Sequence, residues 1–145
     1  MKVNIKNLQK KVPIYPRRIK KAILKTLSKK RIKKSGEITV CFVSDCKIKA
    51  FNLKYLGRDN PTDVIAFNLS GQGKQDKISA DIAISAYRAI DNAVIFGTSP
   101  LFELYLYVIH GVLHILGYKD YTKNDKLLMR KKENKLLEAL KFSSG

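Results

Sequence analysis

The chain has 145 residues, 45% hydrophobic and 28% charged, with 29 Lys and Arg against 12 Asp and Glu for a formal charge of +17. That length makes one domain, able to bury about two-thirds of its unfolded surface, and two cysteines exclude a disulfide framework. The cationic excess points to a polyanionic partner, nucleic acid first, with Lys-rich codon usage as the bland alternative.

Residues 3–8 are expected to form the first strand. The opening Met1-Lys-Val-Asn-Ile lacks the apolar core of a signal peptide. Pro13 and Pro16 mark a turn before a helix over 17–30, where Ile19, Ala22, Ile23 and Leu27 recur at three- and four-residue spacing. Between Lys10 and Lys34 there are twelve basic residues and no acid; the first carboxylate is Glu37. An apolar stripe in a cationic helix suits a phosphate backbone or anionic lipid. No Trp or Phe accompanies the stripe, which favours phosphate. Arg17, Arg18, Lys20, Lys21 and Lys25 are the candidate RNA contacts.

Ser35-Gly36 breaks that helix, and 37–43, rich in β-branched residues, reads as a second strand. Asp45 is expected to cap a helix through Tyr55, ending at Gly57. Asn60-Pro-Thr-Asp63 is turn chemistry leading to a third strand at 64–67. After a loop at Gly71-Gln-Gly73 comes a fourth strand at 81–85. The remainder is helical: 87–95, a central helix in the apolar stretch 101–118, and a charged amphipathic helix over 123–141. The expectation is α+β with α/β-like alternation: a single small domain over 1–145, a four-stranded mixed sheet, about five helices and a buried central one. The stretch 101–118 holds Glu103, two histidines and two glycines, so it reads as a buried helix and no membrane span. Cys41 and Cys46 read as reduced thiols of a cytoplasmic protein.

The only histidines, His110 and His114, stand one helical turn apart in that central segment, so both imidazoles share a face. Such a pair can be two ordinary half-buried side chains, or two nitrogen ligands of a metal such as Zn2+. Gly117 supplies a left-handed stop, and Asp120 returns as a third, oxygen ligand. Together they describe an open three-ligand site. Bland readings stand beside it: Asp63 as a turn residue capping nearby amides, Asp81 as structural, Tyr107 and Tyr118 as core edges.

The run His110-Gly-Val-Leu-His114-Ile-Leu-Gly117-Tyr118 resembles the signature of the YbeY endoribonucleases, small bacterial proteins implicated in ribosomal RNA maturation and ribosome quality control. Residues 53–67, with Asp59-Asn-Pro61-Thr62-Asp63-Val64-Ile-Ala-Phe67, resemble another segment of that family. Ala80-Asp81-Ile-Ala-Ile-Ser85 is similar to its Gly-Asp-Ile strand, and Asp125, Met129 and Glu133 fall at matching places in its last helix. The resemblance implies a metal-dependent single-strand endoribonuclease of the cytoplasm, with precursor ribosomal RNA and ribosomal or small-subunit components as partners. A monomer holding one divalent ion is expected.

Two positions depart from the family pattern. Asp120 stands where the third ligand is usually His, which adds negative charge and weakens the ion as a Lewis acid. Leu56 stands where the family carries an arginine that faces the scissile phosphate, and Arg58, two residues on, is the candidate replacement. The reaction implied is phosphodiester hydrolysis by a metal-activated water, with Arg58 neutralising charge on the phosphoryl oxygens. Two alternatives stay open. One is a non-catalytic, basic, ribosome-associated RNA-binding factor with a structural metal. The other is a zinc peptidase, against which Gly111 occupies the place of the usual Glu after the first His.

Overall fold

The computed structural model describes residues 1–28, 35–56, 63–69 and 77–142. Alternation in two strands sets the sheet. β2 (Ser35–Val43) sends Ile38, Val40 and Phe42 to one face, and its neighbour β4 (Lys77–Ser85) sends Ile78, Ala80, Ile82 and Ile84 to the same face. With β1 (Lys2–Asn7) and β3 (Val64–Asn68) at the edges, the order is β1-β2-β4-β3. β1, β2 and β4 run parallel, and β3 runs antiparallel to β4 with Val64 opposite Ile84. The sheet is therefore mixed, as expected. β4 begins at Lys77, four residues before the expected start, because the inward alternation already holds at Ile78 and Ala80.

Five helices are present among the described residues. α1 (Pro16–Ser28) and α4 (Pro100–Ile115) join the inward strand residues in the main core; α3 (Ala86–Phe96) packs on α4. α2 (Asp45–Leu56) lies on the other face, over a small cluster of Val43, Ile48 and Ile65. Its first turn is capped by Ser44 and not by Asp45: the Ser44 hydroxyl accepts from the Lys47 N–H at 3.4 Å, while Asp45 accepts the Ser85 hydroxyl proton at 2.6 Å.

α4 is the centre of the fold. Leu104, Val108, Ile109, Val112 and Leu113 are wholly buried or nearly so. Ser99 caps its start, with Pro100 in the first turn. Gly111 lets it lie close on the sheet: a Cβ there would meet the Ile82 Cγ2 at 2.9 Å. Its end is a Schellman turn, with the Tyr118 N–H on the Leu113 carbonyl at 3.1 Å and Gly117 at φ 99°. Helix thus stops at Ile115, earlier than the apolar run, and the chain turns back across its end. α5 (Lys123–Ala139) closes the molecule through Met129, Leu136 and Leu137; Thr122 and Asp125 cap it reciprocally.

No single described helix is long and apolar enough to cross a membrane; α3 and α4 reach that length only as a pair bent by 115°.

Candidate metal centre

One turn of α4 and the reversal after it build the site. His110 and His114 are half-buried, with side-chain exposures of 22% and 30%, and the left-handed Gly117 brings Asp120 back to them. The two Nε2 atoms lie 3.0 Å apart, and Asp120 Oδ2 lies 3.7 Å from the first and 3.4 Å from the second. All three ligand atoms fall within 4.8 Å of one another. A tetrahedral ion with bonds of about 2.0–2.1 Å requires ligand–ligand edges of about 3.3–3.4 Å. The edges of the donor triangle, 3.0, 3.4 and 3.7 Å, bracket that size, and two nitrogens with one carboxylate oxygen are zinc-type donors.

Glu133 lies behind this triangle. Its carboxylate, 6% exposed on α5, accepts a hydrogen bond from the Nδ1–H of His110 at 3.0 Å. A proton held on Nδ1 leaves a lone pair on Nε2, turned towards His114 and Asp120. Burial pulls the His110 pKa down, but the Glu133 hydrogen bond and the charges of Glu133, Asp120 and Asp63 outweigh it, leaving a net rise above the usual 6.5. The sequence places Glu133 in the last helix without assigning it a role. Its signal is an acid on an apolar stripe, buried at a period shared with Met129, Leu136 and Leu137.

A cavity of about 220 Å³ opens on the Glu133 side of His110, walled by Tyr107 and His110 of α4, by Lys126, Arg130 and Glu133 of α5, and by Asp63 before β3; of the three donors, His110 borders it. Asp63 does the turn work expected of it, accepting the Val64 N–H at 2.9 Å, and also faces this cavity. Tyr107 is buried, and its hydroxyl accepts from Asn92 at 2.6 Å, so it is a core edge. Glu103, one turn before Tyr107, is buried; desolvation raises its carboxyl pKa, Arg130 opposing and Asp63 reinforcing the rise.

His110, His114 and Asp120 are thus brought together. Arg58 lies outside the described residues. Arg17, Arg18, Lys20, Lys21 and Lys25 are all exposed on α1, and none lines the cavity. Arg18 sits over the rings of Tyr105 and Phe142, at 5.3 and 5.1 Å. Tyr105 precedes His110 by five residues, about 140° around the helix, so the basic helix and the histidines occupy different sides of α4. Gly111 packs against Ile82 and Val64, leaving no room for the Glu a zinc peptidase carries there.

A family model described as Endoribonuclease YbeY matches residues 4–141. The chain belongs to the YbeY family. An Endoribonuclease YbeY of Carboxydothermus hydrogenoformans is 34% identical over 139 residues, 94% of this chain and 95% of that protein. The YbeY protein of Flavobacterium psychrophilum is 43% identical over 106 residues, 73% and 74% of the two chains. The solution structure of TM1509 from Thermotoga maritima is similar with a TM-score of 0.65 at 26% identity, covering 95% of this chain and 88% of that one. The YbeY match thus spans most of the sheet, the helices and all three candidate ligand positions.

Proposed function

We propose that this chain is a metal-dependent endoribonuclease that hydrolyses single-stranded RNA during ribosomal RNA maturation and ribosome quality control. The observation that carries the reading is the donor triangle of His110, His114 and Asp120, sized for one ion and backed by Glu133, in a member of this family. When bound, a divalent ion, for which Zn2+ is our choice, supplies Lewis acidity and a water acidified towards neutral pH.

The protein's own groups do the rest. Glu133 fixes the His110 tautomer and ring. Asp120, 37% exposed, leaves one side of the triangle open to solvent. Among the described residues only three side chains form the candidate ligand group, and Glu133 is turned to the far nitrogen of His110. Three protein ligands leave a coordination place free, which favours an open, catalytic site over a structural metal.

In this reading residues 1–145 act as one catalytic domain, monomeric and cytoplasmic, on precursor ribosomal RNA with ribosomal small-subunit components as partners. Two free cysteines and a charge of +17 support a reducing compartment and an RNA partner. Arg58 is assigned to the scissile phosphate, and the α1 lysines and arginines to flanking backbone. The direct test is cleavage of a labelled single-stranded RNA by zinc-loaded protein, arrested by a chelator. His114→Ala should abolish cleavage; a variant as active as the parent would refute the assignment.

A further inference from the structure

Lys126, Arg130 and Glu133 follow one another at spacings of four and three, so they form one stripe along α5. All three face the cavity whose floor is His110. The acids around it are engaged by neighbours or buried. Glu133 Oε2 holds His110, Asp63 Oδ1 holds the Val64 amide, and Glu103 is buried beneath. The two cations line the cavity and are exposed to solvent. Arg130 is 70% exposed, and its Nε lies 3.9 Å from Glu133 Oε1, beyond hydrogen-bond reach, so the pair leaves the guanidinium donors available. Lys126, one turn earlier, is exposed on the same wall.

We propose that Lys126 and Arg130 form a phosphate subsite on α5, holding the RNA phosphate next to the scissile one on the Glu133 side of His110. The proposal rests on the nuclease reading above and adds α5 to the phosphate contacts assigned to α1 and Arg58. The cavity, about 220 Å³, is smaller than the roughly 300–1,000 Å³ of sites that enclose a whole small molecule. It therefore fits one group of a longer chain. A planar fork and a point charge one turn apart match the oxygens of a phosphodiester, the fork giving direction and the ammonium giving charge. Both are positioning residues: they place the backbone and do not touch the reacting atoms.

The test uses zinc-loaded parent, Lys126→Gln, Arg130→Gln and the double variant, with inorganic phosphate and a single-stranded RNA as probes. Exposed sites should leave fold and zinc content unchanged, which circular dichroism and metal analysis check. Phosphate affinity should weaken roughly 10- to 100-fold in the double variant. The log–log salt slope of RNA binding should flatten by about 0.7 for each phosphate released from the protein. Arg130→Lys should keep the slope but bind more weakly than the parent. Parental phosphate affinity and slope in the double variant overturn the proposal, even if RNA is still cleaved. A flattened slope in a chain that cleaves no RNA supports the subsite while removing the nuclease reading.

Discussion

Glu133→Gln isolates the charge behind His110. The native contact is one hydrogen bond of 3.0 Å to a carboxylate only 6% exposed, so little of its charge is screened by water. Glutamine keeps an acceptor of the same shape but lacks the charge, and charge-assisted bonds are about twice as strong as neutral ones. Loss of such a partner lowers metal affinity by about 10- to 100-fold, or roughly 1.4–2.7 kcal/mol. Gln should sit at the low end of that range. Glu133→Ala, which leaves the Nδ1 proton facing a cavity, should sit at the high end. Competition for zinc against a chromophoric chelator reads this directly. The pH dependence adds a second signature. Protons compete with the ion for His110, whose pKa is raised above 6.5, so parental affinity should begin to fall at a higher pH than for an ordinary imidazole. Without the Glu133 charge that fall should move to lower pH, and the gap between the proteins should narrow under acid conditions. In metal-free protein the raised value stabilises the fold. That contribution is full below 6.5 and is lost as pH rises through the folded value, so Glu133→Gln should be less stable than the parent mainly at acid pH. Equal zinc affinity and equal pH profiles would reduce Glu133 to a packing residue.

Asp120→Ala should hold zinc weakly and lose cleavage, and Asp120→Asn should bind less tightly than the parent. Asp120→His should retain the ion and shift the midpoint of the pH–rate profile downward, since a neutral ligand raises net charge at the ion; metal titration and rate profiles check all three. Gly111→Ala would press a methyl onto Ile82 at 2.9 Å, and thermal unfolding should show a loss of about 1–3 kcal/mol. Reversing Lys20, Lys21 and Lys25 to Glu should weaken RNA binding and flatten its salt slope by about 0.7 per phosphate released, while zinc binding stays unchanged. A slope equal to the parent's would make α1 a solvated surface only.

What the sequence disclosed was whatever a short period encodes. One turn separates His110 from His114, Gly117 needs a left-handed backbone, and Asp120 follows at once, so the gathering of three candidate ligands was legible from eleven consecutive residues. The alternation of β2 and the stripe of α1 were legible for the same reason. Contacts between distant segments were not. Glu133 meets His110 across 23 residues, and its position on α5 says only that it points inward. The basic helix carries the densest run of cations, yet its Arg18 sits over Tyr105, on a side of α4 away from the histidines. Lys126 and Arg130 were hidden among the many cations of α5, and only the packing of that helix on α4 puts them at the cavity. Asp45 lost the capping role to Ser44 because either side chain can cap, and the tertiary bond to Ser85 decided between them.

The central claim is that one ion on His110, His114 and Asp120 is required for hydrolysis. Metal-stripped protein should be titrated with zinc while the cleavage rate of a single-stranded RNA is followed. The rate should rise from near zero in proportion to added zinc and level off at one ion per chain, with His114→Ala flat throughout. Full activity in the stripped protein, or a His114→Ala titration that follows the parent's, would contradict it.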